Sequence, residues 1–171
     1  MEVFVKRILR AIRLDSQLYE EVEADTGALP QAIIVVLLAS LASGIASISR
    51  GVGASLLGGA FSSLISWFGW SYIIYFIGTR FFPEPQTRSD YRELLRTIGF
   101  ASAPGILAIV GIIPGLFSIA LFVTSVWMLI AMVIAVRQAL DYKSTGRAIL
   151  VCVIGWIIYG LLNWLLLGIL T

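Results

Sequence analysis

The amino-acid sequence predicts an all-α fold, a polytopic transmembrane helical bundle of five spans with a short amphipathic interfacial helix at the N-terminus. Of the 171 residues, 59% are hydrophobic and 13% are charged, about half the charged share of a typical soluble domain. The charges occur in short blocks separated by uncharged runs of 24 residues or more. About 20 apolar residues suffice for a helix to cross the hydrocarbon core of a bilayer.

Three of the four uncharged runs each fit a single span, which we place at residues 31–49, 54–77 and 148–170. The remaining run, from Thr97 to Val136, is twice as long as one span requires. It contains Pro114-Gly115 near its middle, a pair that breaks a helix and favours a turn.

We therefore interpret this long run as two spans, residues 98–113 and 116–136, with a kink at Pro104 in the first of them. The alternative is a re-entrant hairpin, which would leave three full spans.

The basic residues predict the orientation of the bundle. Eleven of the 12 Lys and Arg residues precede the first span or lie between the second and third or the fourth and fifth; the exception is Arg50. The positive-inside bias makes that side cytoplasmic, with the N-terminus inside and the C-terminus outside. All ten carboxylates fall in the same blocks, so a soluble partner would be met at the cytoplasmic face. We divide the chain into a cytoplasmic amphipathic segment, residues 1–29, and a membrane domain, residues 30–171.

The start of the N-terminal segment has the pattern of a basic amphipathic helix. At about 100° per residue, the apolar residues from Phe4 to Ile12 fall on one arc and the basic residues on the other. Such a helix can lie in the membrane interface with its basic side on anionic lipid headgroups. The candidate lipid-headgroup contacts are Lys6, Arg7, Arg10 and Arg13. The alternative is packing on the protein's own cytoplasmic loops.

An acidic helix is predicted to follow, with Asp15-Ser16 at its N-cap. Its carboxylates belong to Glu20, Glu21, Glu23 and Asp25. The sequence leaves three roles open for these carboxylates. They form a solvated face, they dock a partner, or they pair with the arginines at 88, 92 and 96.

The residues that most membrane enzymes and ion-coupled transporters use are absent from the predicted spans. The spans contain no Asp, Glu, Lys or Arg, the chain contains no histidine, and its one cysteine is Cys152. We therefore predict no enzyme activity, no cofactor, no metal site and no disulfide. Because the basic residues are mixed with acidic ones, no nucleic-acid partner is expected.

Small side chains recur at four-residue spacing in the first two spans, for example at Ser43 and Ser47 and at Gly59 and Ser63. This spacing lets helices approach closely, either within one chain or in a homo-oligomer.

Three stretches resemble the Yip family of Ypt/Rab-interacting membrane proteins, in its short prokaryotic form. Residues 14–32 resemble the family's lead into its first span, and residues 127–148 resemble its linker between the fourth and fifth spans. Between them, Gly99, Phe100 and Pro104 resemble the family's G-Y-x-x-x-P segment. The resemblance covers nearly the whole chain and implies five spans, a cytoplasmic N-terminus, a structural role for these three residues and a prokaryotic plasma membrane.

The family's eukaryotic features are missing here, namely the long N-terminal domain and the Asp-Leu-Tyr-Gly-Pro motif, so a role with Rab-type GTPases is not carried over. We expect a non-enzymatic membrane organiser, adaptor or assembly factor that acts at the cytoplasmic face. The expected partners are the lipid bilayer with its anionic headgroups, other membrane proteins or a second copy of the chain. The alternative is a small passive permease or channel that uses the serine-lined spans.

Overall fold

The computed structural model describes residues 2–48 and 56–170, which form seven α-helices and no β-strand. In chain order the helices are α1 (Glu2–Ile12), α2 (Ser16–Ala24), α3 (Leu29–Ile48), α4 (Leu56–Arg80), α5 (Tyr91–Ala101), α6 (Phe117–Ala139) and α7 (Thr145–Leu170). A short 3-10 turn at Thr26–Ala28 leads into α3, and a longer 3-10 segment, Ala103–Ile112, continues α5.

Five helical stretches are long and apolar enough to cross a membrane, which confirms the predicted five-span bundle. They are Thr26–Ile48, Leu56–Arg80, Tyr91–Ile112, Phe117–Ala139 and Thr145 onward. The third stretch begins at Tyr91, seven residues before the predicted start of the span, because α5 begins at the end of the preceding loop and runs into the span without a break. Asp90 caps it and forms a reciprocal capping box with Glu93.

The third span lies inside the bundle and contacts α3, α4 and α6. It changes from α-helix to 3-10 helix at Ala103, because Pro104 has no N–H to donate and its ring excludes an α-helical neighbour. The kink expected at Pro104 is thus a change of helix type. A 3-10 helix rises about 2 Å per residue, so the 22 residues of this stretch reach about 36 Å. A turn follows, in which Gly115 adopts a φ of 88°.

Glycine at position 99 allows the third span to touch α3 directly. A Cβ built on Gly99 would lie 2.6 Å from the Cβ of Ala32 and 3.3 Å from its backbone. Gly105 is similar, since a Cβ there would lie 2.9 Å from the sulfur of Met128. Phe100 and Pro104, between these glycines, are both buried.

The packed core is concentrated toward one end of the bundle, which we call the charged end. This is the end that carries α1, α2 and the loops at residues 81–90 and 140–144. Core residues of every span come from the half nearer to this end, for example Val35, Ile74, Leu94, Val136 and Val151. The opposite halves of α4 and α7 are mostly exposed, as expected for surfaces that face lipid.

The close contact at Gly99 predicts that even a methyl group there destabilises the bundle. We expect Gly99→Ala to lower the free energy of unfolding by about 1–3 kcal/mol, because neither backbone can move away from the new Cβ. The matched control is Gly69→Ala, since a Cβ on Gly69 meets nothing within 4 Å. Thermal unfolding in mild detergent measures both variants, and equal melting temperatures would contradict the prediction.

Candidate functional site

The polar groups of the protein meet at the charged end. Every charged side chain among the described residues lies in α1, α2, the two loops of this end or the adjoining helix ends. The site is therefore built from three regions that are far apart in sequence, the N-terminal helices and the two loops, and four sets of contacts hold them together.

Arg7 joins α1 to the segment that follows. Its side chain is only 9% exposed, and it lies 2.8 Å from Glu21 and 2.8 Å from Asp25. It also donates to the amide oxygen of Gln31 in α3, at 3.1 Å. The hydrogen bond that Arg7 donates to Asp25 holds the pKa of that carboxyl below its usual value. Arg7 thus fixes α1 against both α2 and the start of the first span.

Arg10 makes a second, more exposed connection between α1 and α2. Its Nε lies 2.7 Å from a carboxylate oxygen of Asp15, and its Nη1 pairs with Glu21. Asp15 also accepts a hydrogen bond from the backbone N–H of Gln17 and so acts as the predicted N-cap of α2. Carboxylates of the acidic helix and its N-cap therefore pair with arginines of α1. Pairing with the arginines at 88, 92 and 96 was one of the alternatives that the sequence left open.

Arg96, in α5, attaches α2 to the membrane bundle. The residue is 4% exposed, and its Nε donates to the carbonyl oxygen of Val22 at 2.9 Å. Its Nη2 donates to the carbonyl oxygen of Glu23. Both carbonyls lie in the last turn of α2, where backbone acceptors have no partner within the helix and a cation is favourable.

The side chain of Glu23 lies beside this contact among other carboxylates. Burial, together with the nearby Asp141 and Glu93 and against the lowering effect of Arg96, raises the pKa of Glu23 to about 7. On the same surface, Gln138 of α6 donates to Glu20 of α2 at 2.7 Å. Glu20 and Glu23 of α2 are thus turned toward α5 and α6, whereas Glu21 is turned toward α1.

The two loops of the charged end also bind each other. Glu84 lies 3.2 Å from Arg147 and accepts a hydrogen bond from the backbone N–H of Lys143 at 3.1 Å. The hydroxyl of Thr87 donates to the carbonyl oxygen of Leu140 at 2.9 Å. The hydroxyl of Tyr142 donates to the carbonyl oxygen of Gly78 at 3.0 Å. These contacts connect the end of α4 to the turn before α7.

The four predicted headgroup contacts fall into two pairs in the structure. Arg7 and Arg10 pair with carboxylates of the same chain, whereas Lys6 and Arg13 are exposed. The apolar arc of α1 divides in the same way. Ala11 is buried against the bundle, while Val5 and Leu9 are about half exposed. The outer strip of α1, which we define as Val5, Lys6 and Leu9 together with Arg13 just after the helix, is therefore open to the surroundings.

A second feature is a cavity of about 420 Å³ at mid-depth between the spans. Each of the five spans contributes to its wall, mostly from near the middle of the helix, as with Ser40 in α3 and Trp67 in α4. The cavity arises because the 3-10 segment packs mainly against α3 and α6.

Within residues 2–48 and 56–170, no group of three or more Cys, Asp or Glu residues is placed to hold a metal ion.

Neither the cavity nor the construction of the charged end from these contacts was predicted from the sequence. Arg96 in particular was treated as one of several loop arginines. No local signal identifies it, because at helical spacing Arg96 falls on the polar side of α5 together with Arg92 and Glu93.

The buried position of Arg96 predicts that its removal releases α2. We expect Arg96→Met to remove both hydrogen bonds to the last turn of α2 and to increase the rate of proteolytic cleavage between α2 and α3 several-fold. The control is Arg92→Met, an exposed arginine one turn earlier on the same helix, which should cleave like the unaltered protein. Limited proteolysis in detergent measures the rates, and equal rates for the two variants would refute this role of Arg96.

Comparison with known proteins gives one match. The Yip1 domain model matches residues 15–167, which include α2 and nearly all of the membrane bundle. No curated protein and no solved structure shows significant similarity to the chain. The predicted boundary between the N-terminal segment and the membrane domain, between residues 29 and 30, is not tested by this match and stays a prediction. Because the match covers most of the chain and agrees with the resemblance seen in its motifs, the protein belongs to the Yip1 domain family.

Proposed function

We propose that this multi-pass membrane protein is a non-enzymatic organiser or adaptor that assembles other membrane components at its charged end. The observation that carries the proposal is the construction of that end. Two N-terminal helices and two loops are joined by ion pairs and hydrogen bonds into one polar surface, held on the bundle by Arg7 and Arg96. A surface that is ordered before a partner arrives loses less conformational entropy when it binds.

We assign the charged end to the cytoplasmic side of the membrane. The positive-inside bias supports this assignment, because the basic residues of α1 and of the two loops lie within a few residues of the spans. A partner would then approach from the cytoplasm or laterally within the membrane.

The outer strip of α1 suits contact with lipid. Val5 and Leu9 would enter the headgroup boundary, while Lys6 and Arg13 would meet anionic headgroups. Arg7 and Arg10 would set the angle of α1 through their ion pairs. We propose that this contact orients the charged end relative to the bilayer surface.

Site-specific labelling tests this docking of α1. A polarity-sensitive fluorophore on Leu9→Cys, in a Cys152→Ala background, should be shielded from aqueous iodide in vesicles that contain anionic lipid. Replacing both Lys6 and Arg13 by Gln should reduce the shielding, since each basic residue near such a surface contributes about 1 kcal/mol. The control label is on Ser144→Cys in an exposed turn. Equal iodide access at the two positions would exclude lipid docking.

Photo-crosslinking in the native membrane tests the adaptor role. A photo-reactive residue replaces either Arg88, which is exposed at the charged end, or Leu57, which is 84% exposed near the other end of the bundle. We expect discrete protein adducts from position 88 and mainly lipid adducts from position 57. Absence of protein adducts at position 88, together with purification of the protein without any enriched partner, would contradict the proposal.

The mid-depth cavity bears on the alternative of a small passive permease. It is lined by serines, as that alternative requires, among them Ser63 and Ser66. The half of the bundle toward the charged end is filled by core side chains such as Ile74, Phe100 and Val35. This arrangement favours a pocket that ends within the bundle over a passage through it, so the adaptor is the better supported of the two functions.

A further inference from the structure

The wall of the mid-depth cavity contains hydroxyl groups that the protein leaves unused. Within the described residues, Ser40, Ser43 and Ser66 line the cavity and make no hydrogen bond through their hydroxyls. Several other hydroxyls in the spans bond to a backbone carbonyl three or four residues earlier, as those of Ser47 and Thr124 do, although the buried Ser71 outside the cavity does not. In a membrane interior that lacks water, an unbonded hydroxyl is unfavourable unless another molecule supplies the bond.

The wall formed by α4 and α7 is aromatic. Trp70 lies with its ring centre 6.4 Å from that of Trp156, and it meets Tyr159 edge to face at 5.9 Å. Trp67 lies beside them, 5% exposed, and its indole N–H has no partner among the described residues. The cavity therefore combines serine hydroxyls with large apolar rings, as pockets for small amphiphilic molecules do.

The residues around the cavity include no charged side chain. An ionised group brought to this depth would lose its hydration without a counter-charge, so the occupant must be uncharged. The cavity is not fully enclosed, and Trp156 in its wall is 47% exposed on the surface of a membrane-spanning helix. An occupant can therefore enter sideways from the bilayer.

We propose that this cavity binds the headgroup of an uncharged lipid that carries hydroxyl and ester oxygens, with diacylglycerol as the representative. Its oxygens hydrogen-bond to Ser40, Ser43 and Ser66, and its glycerol backbone packs against the tryptophan rings. The acyl chains leave past Trp156 into the bilayer. A phospholipid is excluded because its charged phosphate remains at the membrane surface, whereas the headgroup of an uncharged lipid can reach mid-depth.

Tryptophan fluorescence tests the proposal, since Trp67, Trp70 and Trp156 line the cavity. The full chain, with Trp127 and Trp164 replaced by Phe, is reconstituted in phosphatidylcholine vesicles and titrated with brominated diacylglycerol. We expect quenching that saturates and that is reversed by unbrominated diacylglycerol. Brominated phosphatidylglycerol should give only quenching proportional to its mole fraction, as a lipid that merely surrounds the protein does.

Variants of the wall test which side chains bind. Ser43→Ala and Ser66→Ala should each weaken binding about fivefold, the effect of one neutral hydrogen bond. Ser66→Leu should abolish saturation by filling the cavity. The matched control is Ser62→Ala, an exposed serine of the same helix outside the cavity, which should bind normally.

Three results would overturn the proposal. The first is quenching by diacylglycerol that never saturates, and the second is equal saturation by phosphatidylglycerol. The third is unchanged binding by Ser66→Leu, provided that its melting temperature shows that the variant is folded. The alanine variants keep the test decisive if Ser66→Leu fails to fold, because loss of a hydroxyl leaves the packing almost unchanged.

Discussion

The third span lies within the bundle, and its packing constrains both the charged end and the middle of the molecule. Its first half is an α-helix that touches α3 so closely that Gly99 has no room for a side chain. The same half carries Arg96, whose guanidinium is buried against the last carbonyls of α2. Its second half is a 3-10 helix, which is thinner than an α-helix and packs mainly against two of its neighbours. One buried helix therefore positions the polar surface and also leaves space for the cavity.

The number of spans and the amphipathic N-terminal helix could be predicted from the sequence, because a bilayer imposes a length and a polarity on every crossing helix. The helix that contains the third span begins seven residues before the span predicted from hydropathy, since Arg92, Glu93 and Arg96 interrupt its apolar pattern. Those charges lie in the same helix as the span, and only tertiary packing reveals that Arg96 faces inward. A hydropathy pattern does not contain this information.

The sequence pattern also did not specify the partners of the basic residues. The alternation of apolar and basic residues in α1 identifies a basic side but does not indicate what that side meets. In the structure Arg7 and Arg10 meet carboxylates of the next helix, and only Lys6 and Arg13 stay open. Arg96 and Val22 are 74 residues apart in the sequence, a separation at which no local pattern specifies pairing. The cavity was unforeseen for a related reason, because it depends on the helix type that follows Pro104.

The contacts of α2 also determine the order in which the protein can assemble during synthesis. The ion pairs of Arg7 and Arg10 with Glu21 link residues 14 and 11 positions apart, so α1 and α2 can associate as soon as both emerge from the ribosome. Their attachment through Arg96 must wait for α5, 74 residues later. At usual translation speeds this delay is roughly 4 to 15 s. During that interval the amphipathic hairpin is tethered only to the first span, and its basic and apolar groups are free to rest on the membrane surface.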